Sequence, residues 1–156
     1  MKVLASETFS AVSAPIQFAA ISAFKDDHKD YILKSKKILK GIGEYVYNKL
    51  KSNNVIINKP MGGFYLMPEF LNKKFNNSAD MCTDLLNKKS VAILPGSDFG
   101  FSVEKMISRL SYTDFDGKIF LSNINLDTKI DDDLIENFAP KIIEGTKRLK
   151  DWAEKA

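Results

Sequence analysis

Cysteine, histidine and arginine are all scarce in this chain: among 156 residues there is one Cys82, one His28, and two arginines, Arg109 and Arg148. A lone cysteine excludes an internal disulfide framework, and a lone histidine leaves no set of soft ligands for zinc, copper or an iron–sulfur cluster. Long hydrophobic runs are missing too. No stretch of about 18 apolar residues exists to span a membrane. Met1-Lys2-Val3-Leu4-Ala5 starts basic, but Ser6 and Glu7 follow before any apolar core of a signal peptide can form. The expected setting is therefore reducing and cytoplasmic, with no membrane partner. A dominant charge is also lacking, since 23 basic residues face 20 acidic ones for a net +3, and a small excess spread along the chain does not imply nucleic acid.

What remains is the composition of an ordinary globular domain, 44% hydrophobic and 28% charged. A chain of this length buries roughly 70% of the surface its unfolded form exposes, so one domain over residues 1–156 with its own core is expected. Nearly every cation is lysine, which singles out the two arginines as positions where lysine has not been substituted.

Apolar spacing at Ile16, Ala19, Ala20, Ala23 and Phe24 predicts a buried helix from Ser13, with Ser13 as N-cap and Pro15 in the first turn. Tyr31, Ile38, Ile42, Tyr45, Val46 and Leu50 predict a long amphipathic helix ended by Ser52-Asn53-Asn54. Val55-Ile56-Ile57 and Gly63–Met67 read as short strands joined by a turn over Asn58–Gly62. A helix over Ala79–Asn87, a strand Val91–Leu94 closed by Pro95-Gly96, and a strand Met106–Tyr112 follow. One long terminal helix carries Ile130, Leu134, Phe138, Ile142, Leu149 and Trp152, with Asp131, Asp132 and Asp133 at the end its dipole favours for anions. Helices and strands do not alternate as βαβ units, so the expected class is α+β, a small antiparallel or mixed sheet packed by long helices.

Arg109 is the most informative residue. A guanidinium within the strand Ile107–Tyr112 must reach solvent, pair with a local acid, or meet an anion. Its planar fork suits a carboxylate through two parallel hydrogen bonds, although on spacing alone an edge-strand arginine paired with a local Asp or Glu is the commoner arrangement. The loop Leu94–Gly100 holds two glycines that allow a backbone anion cradle, but it lacks the Lys-Ser/Thr ending of a phosphate-binding loop and reads as a tight turn. Asp114 and Asp116 lack the further ligands of a calcium loop. His28 lies in a run of charges, and no Ser/His/Asp or Cys/His arrangement forms around it. The residues thus offer one anion-binding arginine and no catalytic machinery.

Three ordered segments resemble the C-terminal part of class I/II pyridoxal-phosphate aminotransferases of fold type I. They are Ser6-Glu7-Thr8-Phe9-Ser10-Ala11-Val12-Ser13-Ala14-Pro15-Ile16-Gln17, then Pro60-Met61-Gly62-Gly63-Phe64-Tyr65-Leu66-Met67-Pro68-Glu69-Phe70, then Val91–Gly100 followed by Arg109-Leu110-Ser111-Tyr112. The resemblance implies that Arg109 grips the α-carboxylate of an amino-acid substrate. It also implies that the Gly62–Tyr65 strand and the Pro95-Gly96 turn belong to the small-domain sheet and the loop shaping the substrate end.

The chain departs from the family pattern in two respects. The lysine that forms the Schiff base with pyridoxal 5'-phosphate, in its Ser-x-Ser-Lys…Gly-x-Arg context, has no match; Lys36 follows Ser35 but no arginine stands at the matching distance. Nor is there a match for the aspartate on the pyridine nitrogen. The resemblance thus implies a C-terminal small domain whose large cofactor-binding domain lies elsewhere, with Met1 an internal methionine or an added start. The whole enzyme, expected as a homodimer, moves an amino group between an α-amino acid and a 2-oxo acid. The chain alone is expected to be inactive, to hold the cofactor weakly, and to self-associate. A free-standing carboxylate-binding module, or the same domain of a lyase or decarboxylase, is the alternative.

Overall fold

The computed structural model describes Val3, residues 12–25 and residues 27–155. The chain divides into two compact units, residues 1–32 and 33–156. The Met1–Ala5 start, apart from Val3, and the first half of the first family-like segment, Ser6–Ala11, lie outside the described residues.

In the first unit, helix α1 spans Ala14–Lys25 and none of its residues is buried. The spacing had implied a buried helix. Ser13 stands where an N-cap should, its carbonyl accepting the Gln17 N–H at 3.1 Å, so the local signals for the helix hold. Its apolar residues nevertheless stand exposed, Phe18 at 74% and Phe24 at 90%. The unit boundary falls within the next helix, α2, Lys29–Leu50.

The second unit contains the core. Helix α2 buries Ile38, Ile42, Val46 and Leu50, the i, i+4, i+8, i+12 stripe that a period of 3.6 places on one face. Five short strands follow, β1 Val55–Ile56, β2 Tyr65–Leu66, β3 Glu69–Phe70, β4 Leu94–Pro95 and β5 Ser108–Ser111. They form an antiparallel pair β1-β3 and an antiparallel three-stranded sheet in the order β2-β5-β4. The two strands read on either side of Asn58–Gly62 therefore belong to different sheets. β1 pairs instead with β3, a strand of two residues too short for alternation to reveal.

Helix α3, Ser78–Lys89, is capped by Asn77, whose side chain accepts the Asp80 N–H, and ends on Ser90 in the left-handed region at φ 54°. Helix α4, Gly117–Ser122, starts at Asp116, whose carboxylate accepts the N–H groups of Lys118 and Ile119. The carboxylate spacing at Asp114 and Asp116 thus serves a helix start, and Asp114 meets Lys141 at 3.3 Å. The single terminal helix of the sequence reading is two helices, α5 Asp132–Phe138 and α6 Pro140–Glu154. The break is at Ala139-Pro140, because Pro140 has no N–H to give the ladder and its ring excludes helical geometry before it. Asp131 caps α5, accepting the Leu134 N–H at 3.1 Å.

These six α-helices and small antiparallel sheets make an α+β fold among the described residues. Ile42, Val46, Phe70, Met81, Leu85, Phe120, Leu149 and Trp152 form its continuous core. Two glycines are required by close approach. A Cβ at Gly43 would stand 2.9 Å from the Tyr112 hydroxyl, and one at Gly96 would stand 2.8 Å from the Ile107 carbonyl oxygen. Gly43 therefore lets the sheet residue Tyr112 lie against α2, and Gly96 lets the turn after β4 lie against β5. No described helix is long and apolar enough to cross a membrane.

Candidate functional site

β5 is the middle strand of its sheet, and Arg109 sits on it half-buried. Tyr65 of β2 pairs with Ser111, which puts it on the same face as Arg109 and one diagonal step away. On the other flank, β4 runs into the 3-10 turn Gly96–Phe99. The Arg109 guanidinium carbon is 4.3 Å from the Tyr65 ring centroid and 4.2 Å from that of Phe99. At such distances the cation lies over the ring faces, since an approach at the rim would overlap the ring atoms. The rings are 41% and 39% exposed, so the arrangement opens at the surface.

Among the described residues Arg109 forms no ion pair, so the edge-strand pairing with a local acid does not occur. Arg148 behaves differently. Its Nε–H donates to Glu144 Oε1 at 2.7 Å and its Nη1 to the Lys89 carbonyl at 3.3 Å. It lines a cleft of about 600 Å³ with Leu110, Tyr112 and Lys141, one that does not include Arg109. Of the two arginines, one ties α6 to the end of α3, and the guanidinium of the other makes no hydrogen bond or ion pair among the described residues.

The Leu94–Gly100 loop is not an anion cradle, because its amides are already engaged. The Gly96 N–H donates to the Ile107 carbonyl at 2.8 Å, and the Gly100 N–H to that of Ser97 at 3.3 Å. Ser97 N–H points to Ser78 Oγ at 3.5 Å. The turn instead delivers Phe99 to Arg109. His28 is exposed, with its Nε2 3.4 Å from the Ser22 carbonyl. Lys36 is an exposed residue of α2. Burial, with Asp98 nearby, pushes the Cys82 thiol up to about 11, which keeps it protonated and unreactive at neutral pH.

Sequence reasoning singled out Arg109 but not the two rings beside it. Alternation gives Tyr65 a face but not a partner strand, and nothing in a Gly-Ser-Asp-Phe turn says which neighbour its ring will cover.

Comparison with known proteins places the chain in a family and a fold. Residues 1–116 match the model of the family described as aminotransferase class I and II. The aspartate aminotransferase of Sulfolobus acidocaldarius is 30% identical over 116 residues, 72% of this chain and 28% of that enzyme. The probable N-acetyl-LL-diaminopimelate aminotransferase of Bacillus subtilis is 34% identical over 104 residues, 66% of this chain and 25% of the relative. Among solved structures, alanine aminotransferase from Pyrococcus furiosus superposes with a TM-score of 0.68 at 22% identity, over 92% of this chain and 30% of that one. The aspartate aminotransferase of Rhizobium meliloti gives 0.67 at 20% identity, over 97% and 34%. The likeness in fold thus continues through α4, α5 and α6, beyond the residues that the family model matches. The chain spans about 30% of the length of these enzymes. By the match over residues 1–116 and the α+β fold shared with solved aminotransferases, the chain belongs to the class I and II aminotransferase family.

Proposed function

We propose that this chain is the substrate-carboxylate-binding part of a pyridoxal-phosphate-dependent aminotransferase, working on an α-amino acid and a 2-oxo acid, with Arg109 as the group that holds the substrate α-carboxylate. The observation that carries this reading is a guanidinium on the central strand with no acidic partner among the described residues and aromatic rings on its flanks. Such a group costs free energy to half-bury unless an anion completes it, and a carboxylate completes it with two charge-assisted hydrogen bonds. The family membership supplies the substrate class.

Pyridoxal 5'-phosphate, which supplies the electron sink when bound, asks for an amine to take its aldehyde and an acid for its ring nitrogen. The residues around Arg109 do not fit that group, because Tyr65, Phe99 and the paired Leu94 offer neither. Burial pushes the ammonium of Lys73 below its usual range, but this side chain lies over the Trp152 ring at 4.6 Å and donates to the Lys155 carbonyl. That pair lines a second cleft, to which Arg109 does not belong. We therefore assign to this chain binding and orientation alone, and place the cofactor's own ligands on a partnering domain of a soluble, cytoplasmic homodimer. Holding the carboxylate fixes the Cα of the substrate in one orientation, so that the proton leaves along a set direction.

The test has two parts. The purified chain, mixed with pyridoxal 5'-phosphate, an amino acid and 2-oxoglutarate, is expected to show no turnover above that of the free cofactor. In NMR titrations the Arg109 side-chain Nε–H is expected to move with 2-oxoglutarate or acetate, while Arg109→Gln abolishes the response. Turnover by the pure chain, or an Arg109 that ignores carboxylates, would sink the assignment.

A further inference from the structure

The two rings beside Arg109 do more than fill space, and the inference drawn from them rests on the carboxylate reading above. A guanidinium in water is wetted on both faces and at its edge, and turns freely about its last bonds. Here Tyr65 approaches from the β2 side of β5 and Phe99 from the β4 side, both within 4.3 Å of the guanidinium carbon. Face contact with aromatic rings is favourable for arginine, which is weakly hydrated and stacks. It has two further effects. Rings on both flanks hinder rotation of the fork, and their negative faces border a bound anion on those flanks.

We propose that Tyr65 and Phe99 are positioning residues that make Arg109 a slot for flat oxyanions, selecting a carboxylate over a tetrahedral oxyanion of the same charge. A carboxylate coplanar with the fork uses two oxygens and has none left over. A sulfonate or phosphate gripped in the same way carries further oxygens out of that plane, toward the negative ring faces and away from water. Those oxygens lose hydration without gaining a donor. The rings thus discriminate by what they withhold, and the preference is for amino and 2-oxo acids over their sulfonate counterparts.

The chain has only two arginines, so its arginine Nε–H spectrum holds two signals, assignable with Arg109→Gln. Acetate and methanesulfonate, both monoanions, are titrated into the whole chain and into Tyr65→Leu, Phe99→Leu and the double variant. Intrinsic differences between the two anions cancel when only the change in their affinity ratio is compared. We expect the ratio to favour acetate in the native chain and to fall at least threefold in the double variant. The single variants fall between, and Arg109 side-chain rotation speeds up in step. Both rings are partly exposed, and the backbone spectrum of each variant verifies that it stays folded; should the double variant unfold, the single variants decide. A response to acetate with an unchanged ratio overturns the slot alone. No response to acetate in the native chain overturns the carboxylate reading and the slot with it.

Discussion

Asp84 accepts two hydrogen bonds at once, from Lys88 Nζ at 2.7 Å on Oδ1 and from the indole N–H of Trp152 at 2.9 Å on Oδ2. Together with Lys88 first and Trp152 second, these hold its carboxyl below the usual value of 3.8. Because the folded form is the weaker base, the stabilisation is fully present above about pH 4 and is lost as acid protonates the group in the folded state. Trp152 is buried, so removing the acceptor strands an indole N–H. Asp84→Ala should therefore cost about 1–3 kcal/mol at pH 7, and denaturant titrations should show that deficit shrinking below pH 4. A deficit independent of pH would mean that packing, and not the charge, is what the substitution removes. Arg109 is the counterpart at this scale: a guanidinium whose neighbours among the described residues are rings and not carboxylates.

At the scale of elements, helix ends carry much of the local specificity. Asn77, Asp116 and Asp131 each accept N–H groups of the first turn, and each such cap is worth about 1 kcal/mol. The end of α3 is less well made. Ser90 closes it at φ 54° while its N–H donates to the Leu86 carbonyl, a left-handed conformation that glycine adopts without the Cβ penalty. Ser90→Gly is expected to stabilise the chain by about 0.5–1 kcal/mol, a rise in Tm of roughly 1–4 °C for a domain of this size. A fall in Tm would show that the serine does something here beyond closing the helix. α2 and α3 were legible as sequence because their burial repeats every three to four residues. The strands were less so, since pairs as short as β1-β3 hold no period to read, and the partner of a strand is decided by long-range contact.

For the whole molecule, exposure is the distinctive feature. Phe18 and Phe24 on α1, and Phe64, Leu94, Phe101 and Val103 in the second unit, stand open. Apolar surface of this kind marks faces that another surface covers. Sedimentation velocity should accordingly show association that grows with protein concentration. Replacing Phe18 and Phe24 by Ser should weaken it, because α1 is the one described helix with no buried residue. A strictly monomeric profile at high concentration would contradict this. A chain spanning about 30% of its relatives gives the expectation its physical basis, since the relatives have more chain with which to cover such faces.

The sequence by itself determined the α+β class, the positions of α2 and α3, the helix-starting role of Asp131, the family, and Arg109 as the residue to watch. All of these rest on local chemistry or on an ordered run of residues, which survive being read in one dimension. Only the tertiary structure decided that no described residue of α1 is buried and that β1 leaves its neighbour in sequence for β3, whereas the split of the terminal helix at Pro140 follows from proline's own chemistry. The tertiary structure alone decided which arginine is spoken for. Arg148 and Arg109 differ little as letters, but one finds Glu144 a helical turn away, and the other is met by one ring from β2 and another from the turn after β4. Contacts between distant segments depend on how every intervening element packs, and no local pattern encodes that.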